Sequence, residues 1–555
     1  MMRLVVNGQT LDLPEEAKIQ IRRESPAYLG KDVGAIKGDF SYPFDLSMTA
    51  TNRATLGYPD RLDNASRPAV NLPAQLYIGP DLLINGQLNV MKGGRRKSKV
   101  FLVNQPLSDL SKVKMNETDQ GLLSFDNAES LRTRMRQTVD SPLNFDYTFF
   151  PVYNYSLDDP TNNIPTHRQF QNSWEFNNQR FSLDAPITPF IRNEVALRKA
   201  VEGAGYTWVD RFHTTNERKR MVLVNNRTMW TESVTSLNAP LNSFLPGTTV
   251  SEFLKTQCRL FCLAPFSNLT GDRILLQQLR SIVAAEPKWD WTNYAGKEYG
   301  RENLSGGVNT FAYPQSAYTK SYKLSNWSDL GQPDIIINGN QGTNQEGPVY
   351  YDPRNNTYIR FFDNNGTLQA ATGNGFGAVE NEFGDETIEP SLFPLQTNQI
   401  LFYPSQIDNL LMGTWATGLA DLSTLNAADR ENRDEVSVAL SIYRGLQNTS
   451  QGIQYPFGSM SNYLVDLSAI PGEEFSLRWS GPNSVYLNQW LEWDAMLQRG
   501  SAITRSFLLP IAQIIDFDFA NKVRVFNQNF FVRSLEFVAT ARGISPAKCE
   551  LLSVS

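Results

Sequence analysis

Apolar and polar residues alternate one by one along much of this chain, and in three stretches the spacing changes to three or four. The alternation opens with residues 3–6 and 9–13 on either side of Asn7-Gly8, a pair suited to a two-residue turn, so an opening hairpin is predicted. Ile19 and Ile21 continue the strand pattern, and further strands are expected at 76–78, 82–84, 88–91 and 100–103, with a turn at Asn85-Gly86. The segment GDFSYPFDLSMTATNRATLGYP, residues 38–59, is extended and aromatic. Its Pro43 has no N–H for a central ladder, which makes the segment an edge strand or arm. Phe40, Tyr42 and Phe44 are therefore candidates to pack within their own domain, the preferred reading, or onto a neighbouring subunit.

The three helical stretches divide the rest. Thr188 reads as an N-cap with Pro189 in the first turn, and Ile191, Val195 and Val201 mark one face before Gly203 and Gly205 end the helix ahead of a strand at 206–209. Thr249 and Glu252 form a capping box for a second helix that turns Val250, Leu254, Cys258 and Phe261 inward, followed by a strand at 273–276. In the third, Tyr486, Trp490, Trp493 and Leu497 share a face until Arg499-Gly500. Strands are then expected at 506–515, 522–526, 530–539 and 548–554, with a turn at Asn527-Gln528-Asn529. Trp490 and Trp493 should be buried against those strands, and with the three aromatics of the arm they complete the candidate interface residues. At 555 residues the chain is expected to hold about three to five domains. The expected class is α+β, mostly β, in several domains: a small antiparallel barrel or sandwich over 1–105, a loop-rich excursion over 106–185, and an interposed α+β module over 186–300. A β-rich region over 301–430 reads as an insertion, with a hairpin of 349–351 and 358–362, and an α+β module over 431–555 completes a second barrel.

Charge narrows the function classes. With 51 basic and 57 acidic residues, well mixed, for a net charge of −6, nothing suggests specificity for nucleic acid. The exception is Lys92-Gly93-Gly94-Arg95-Arg96-Lys97 with Lys99, between two strand-like runs, where a solvated hairpin tip is preferred over a contact with nucleic acid or an acidic partner. No apolar run reaches the roughly 18 to 20 residues that span a membrane, and MMRLVVNGQ lacks the core of a signal peptide, so synthesis in the cytoplasm is expected.

Candidate chemistry is sparse. Cys258, Cys262 and Cys549 do not make a disulfide framework, and the first two read as buried helix-face thiols rather than metal ligands. His167 and His213 are the only histidines, and neither lies beside a nucleophile elbow. The carboxylate pairs Asp158/Asp159, Asp385/Glu386 and Glu473/Glu474 read as solvated loops, and Gly373, Gly375 and Gly377 as a flexible loop. No catalytic residue, cofactor or metal is expected.

Four stretches carry a resemblance. LVVNGQTLDLPEEAKIQI followed by IKGDFSYPFDLSMTATNRATLGYPDRLD at the start, ITPFIRNEVALRKAVEGAGYTWV and VSEFLKTQCRLFCLAPF in the middle, and FANKVRVFNQNFFVRSLEFVATARGISPAKCELLSV at the end resemble, in that order, a family of tail proteins from phages and prophages of Bacteroidota. The resemblance covers about half the chain and implies a non-enzymatic virion protein made in the host cytoplasm. By analogy with tail hubs generally, it implies a hub or baseplate role at the tail tip and contacts with other tail proteins. Such hubs are homotrimers whose subunits each carry two similar barrels. A hexamer would instead fit a distal-tail ring, and a tail-tip protein binding a host glycan through residues 330–385 is the alternative, since that stretch is dense in Asn, Gly and aromatics.

Overall fold

The computed structural model describes residues 1–27, 39–61, 71–104, 109–153, 170–175, 178–183, 186–227, 229, 237–268, 271–303, 308–311, 349–352, 357–361, 368–371, 384–388, 393–394, 396–404, 410–417, 436, 438–448, 454–462, 469–478 and 483–554. The described chain is mostly β, in several sheets that are chiefly antiparallel, with few helices.

Strands β1 (Met2–Val6) and β2 (Gln9–Leu11) form the expected opening hairpin, with Asn7 and Gly8 both at positive φ (51° and 76°) in the two-residue turn. β3 (Lys18–Glu24), β4 (Asp39–Ser41) and β5 (Phe44–Ser47) follow, then helix α1 (Ala50–Thr55), β6 (Leu72–Ile78), β7 (Asp81–Lys92) and β8 (Lys97–Asn104). Asn85-Gly86 is not a turn: β7 runs straight through it, and the reversal falls six residues earlier, where Gly79 takes φ +60°. Gly86 is needed for a different reason, since a Cβ there would lie 2.2 Å from the Val103 carbonyl oxygen of β8. β4 is not an edge either. It pairs with β3 on one side and β8 on the other, so the segment read as an arm bridges two parts of a sheet. Pro43 is tolerated because it falls between β4 and β5.

The strand order β2-β1-β6-β7-β8-β4-β3 places β2 and β3 six steps apart. Flat, that is about 29 Å at ~4.8 Å per step. The link from Leu11 to Lys18 reaches at most about 25 Å even fully extended, and it contains a turn closed by Ala17 N–H on the Pro14 carbonyl. The sheet therefore has to curl. Leu4, Val6, Ile19, Ile21, Leu46, Leu76, Leu88, Val100 and Leu102 fill the inside of the curl, all fully buried or nearly so. Buried Asn52 of α1 ties its mouth: Asn52 Oδ1 accepts from Asp12 N–H (2.8 Å), and its Nδ2 donates to the Asp12 and Ser47 carbonyls (2.9 and 2.7 Å).

The middle holds helix α2 (Ala128–Asp140), helix α3 (Asn193–Gly203), β9 (Thr207–Asp210), helix α4 (Val250–Phe261), β10 (Leu263–Ser267) and β11 (Arg273–Gln278). α2 lies where loops were expected; its inward face is Leu131, Met135, Thr138 and Val139, and Asn127 with Ser130 caps it reciprocally. α3 begins four residues past the expected Pro189. Residues Phe190–Arg192 are a strand, and the Thr188 hydroxyl donates to the Arg227 carbonyl instead of capping. α4 carries the expected capping box, buries Val250, Leu254, Cys258 and Phe261, and ends at Cys262 in the left-handed region (φ 51°). The three strands β9, β11 and β10 form one sheet beside α3 and α4.

Toward the C-terminus come β12 (Ala295–Asn303), helix α5 (Leu491–Arg499) preceded by a single π-helical turn Tyr486–Trp490, then β13 (Ser501–Phe507), β14 (Lys522–Val525), β15 (Gln528–Thr540) and β16 (Ala547–Val554). The strand expected over 506–515 stops at Phe507, because Pro510 starts a short helix, Ile511–Asp516. The turn before β15 is Phe526-Asn527, one residue early, with both at positive φ. β3 pairs antiparallel with β15 from Lys18–Thr540 to Glu24–Ser534, so the sheet continues β3-β15-β16-β13-β12 and joins both ends of the chain. Strands Gln396–Pro404 and Leu410–Thr417 pair with each other, and the second also pairs with Val152–Tyr153 and Trp174–Glu175. The expected hairpin is present as Val349–Asp352 with Thr357–Phe361. Among the described residues no helix is long and apolar enough to cross a membrane.

Candidate assembly surfaces and buried polar clusters

The tryptophan helix packs inward. Trp493 is fully buried and stands edge-on to Phe531 of β15 (5.4 Å, 89°), while the Trp490 Nε1–H donates to the Leu260 carbonyl of α4 (3.3 Å). What the same helical stretch turns outward is Leu487 and Leu491, 47% and 42% exposed and one turn apart. Phe40, Tyr42 and Phe44 are half-buried. Phe40 and Tyr42 meet edge to face (5.8 Å), and the Tyr42 hydroxyl donates to Glu536 Oε2 (3.1 Å) in a surface network with Gln20, Arg22 and Glu550. That network joins β3, β4, β15 and β16 across the seam between the two ends of the chain.

Two buried polar clusters were not visible in the linear chain. In the first, His213 Nδ1 lies 2.6 Å from Asp210 Oδ2, and its Nε2 lies 3.2 Å from Asn193 Nδ2, which also donates to Gln257 Oε1 (3.1 Å). Burial raises the Asp210 carboxyl, but His213 and the N–H groups of Phe212 and His213 outweigh it and bring the group below its ordinary value. Through these bonds the dyad ties α3 and α4 to the end of β9.

The second cluster corrects the expectation of a solvated loop at Glu473/Glu474. Glu474 is exposed, but the Glu473 side chain is only 7% exposed, between Arg220 (2.5 Å) and Arg444 (2.6 Å), and Arg444 also donates to Glu217 (2.8 Å) and the Phe475 carbonyl (2.7 Å). Burial raises both carboxyls. The two guanidiniums reverse this at Glu473, which sits below its ordinary value, whereas Glu217 stays above. The charges balance, and the cluster clamps segments 216–220, 438–448 and 473–475 together. Cys258, Cys262 and Cys549 are free and buried, with thiols pushed up by burial, and are inert. Among the described residues no group of His, Cys, Asp and Glu could hold a metal ion. His167, Asp158/Asp159, Gly373, Gly375, Gly377 and the side chains of Asp385/Glu386 lie outside the described residues.

No protein-family model matches this chain, and no curated protein matches it in sequence. Among solved structures it matches the 43 kDa tail protein of prophage MuSo2 from Shewanella oneidensis (8% identity, TM-score 0.34, covering 99% of this chain and 97% of that one). It also matches a tail protein from Neisseria meningitidis (8%, TM-score 0.33, 99% and 95%) and a prophage tail protein from Listeria monocytogenes (8%, TM-score 0.32, 99% and 94%).

Proposed function

We propose that this chain is a structural component of a phage tail, and within the tail the hub or baseplate protein that joins the tube to more distal parts. The observation that carries the reading is the β3–β15 seam. The opening and closing segments that resemble Bacteroidota tail proteins are more than 500 residues apart in sequence yet form one sheet, so these two parts of the resemblance meet in space. On this reading the two strand-rich halves of that sheet, β1–β8 and β12–β16, serve as the paired surfaces by which three subunits would present six quasi-equivalent contacts. The function is then the geometry of contacts between copies and neighbours, with no catalytic step.

Native mass spectrometry of the purified chain tests this. A closed homotrimer is expected. A six-fold ring points to a distal-tail role, and a chain that stays monomeric in assembled particles removes the hub reading. Binding of host polysaccharide by a monomer would favour the glycan-recognition alternative.

A further inference from the structure

The β7–β8 hairpin tip carries Lys92, Arg95, Arg96, Lys97 and Lys99, all exposed. Beside it helix α1 adds Arg53, and the loop after it Arg61. Among the described residues, two carboxylates pair with these seven cations: Asp45, 3.8 Å from Lys97, and Asp60, 4.0 Å from Arg53. Lys92, Arg95, Arg96 and Lys99 make no ion pair among the described residues. A tip that served solubility alone would carry mixed charge.

The tip is also held in place. A Cβ on Gly93 would lie 2.4 Å from the Pro59 carbonyl oxygen, so the hairpin packs backbone to backbone on the loop. Arg53 donates to the Arg95 carbonyl, and Met48 N–H to that of Arg96 (2.9 Å). Tyr58 accepts a left-handed backbone (φ 56°) that a bulky residue rarely adopts, and its ring, 37% exposed, lies under Arg61 (4.3 Å). Met91, 59% exposed, adds an apolar contact beside the cations. The backbone that carries the cations is thus held against the loop, with two exposed apolar side chains beside them.

We propose that this tip binds the acidic surface of a second copy of the same chain. The proposal rests on the self-assembly reading above and names the surface it uses. Setting the patch's +5 against the overall −6 leaves the remainder of the chain at −11, so a second copy supplies the complementary charge. Met91 and Tyr58 match a protein surface better than a phosphate backbone.

The test uses the full-length chain and its Arg95→Glu/Arg96→Glu and Arg95→Lys/Arg96→Lys variants, compared by sedimentation equilibrium at low and high salt. The glutamate variant should associate about tenfold or more weakly than wild type, and the lysine variant should associate like wild type. Wild-type association should also weaken as salt shortens the screening length. Circular dichroism melting should be the same for all three, because the tip is exposed. Equal association of wild type and the glutamate variant overturns the docking assignment while leaving self-assembly intact. A wild-type chain that is monomeric at every concentration overturns both. Tight binding of a labelled duplex DNA that the glutamate variant loses replaces the proposed partner with nucleic acid.

Discussion

Trp493 and Asp210 show how differently single residues hold this molecule together. Trp493 is a packing residue, fully buried against Phe531, so Trp493→Ala should cost on the order of 3–5 kcal/mol and lower the melting temperature accordingly. A variant that melts like wild type while self-association fails would instead make that face a contact between copies. Asp210 acts through charge. Its folded-state value lies below the unfolded one, so its contribution is complete above about pH 4 and is lost as pH falls through the lower folded value. Asp210→Asn should therefore destabilise the protein at neutral pH, and its melting-temperature difference from wild type should shrink toward acid. A difference constant with pH would show that Asp210 serves only as a hydrogen-bond acceptor.

At the scale of elements, what could be read from the chain was local. The Asn7-Gly8 turn, the Thr249/Glu252 capping box and the inward face of α4 are set by residues within four positions of one another, and each is where it was expected. Thr249→Ala should accordingly cost about 1 kcal/mol, measurable as a shift in denaturation midpoint with the slope unchanged. The misreadings have a common cause, which is that tertiary contacts reassign local signals. Asn85-Gly86 looked like a turn, but the close approach of β8 demanded the glycine. Thr188 looked like a cap, but its hydroxyl bonds Arg227. α2 was missed because Asn127 and Ser130 cap it in place of the usual Ser/Thr and Glu, and because its buried face includes Thr138. Glu473 looked solvated because its partner Arg220 lies 253 residues away.

At the scale of the molecule, the pairing of β3 with β15 decides the architecture, and no pattern within either strand announces a partner more than 500 residues distant. The alternation Ile19/Ile21 and Leu535/Phe537/Ala539 specifies which face each strand buries and hence the register once they meet. The candidate interface aromatics were legible as aromatics, but which side of the helix or sheet they occupy came only from the fold. The central claim is that this chain builds a phage tail. It is tested most directly by electron microscopy of particles induced from a strain carrying the gene, with gold-labelled antibody raised against the purified chain. Label confined to one end of the tail, at the tip, is the expected result. Particles whose tails carry no label, while the chain is detected elsewhere in the cell, would contradict it.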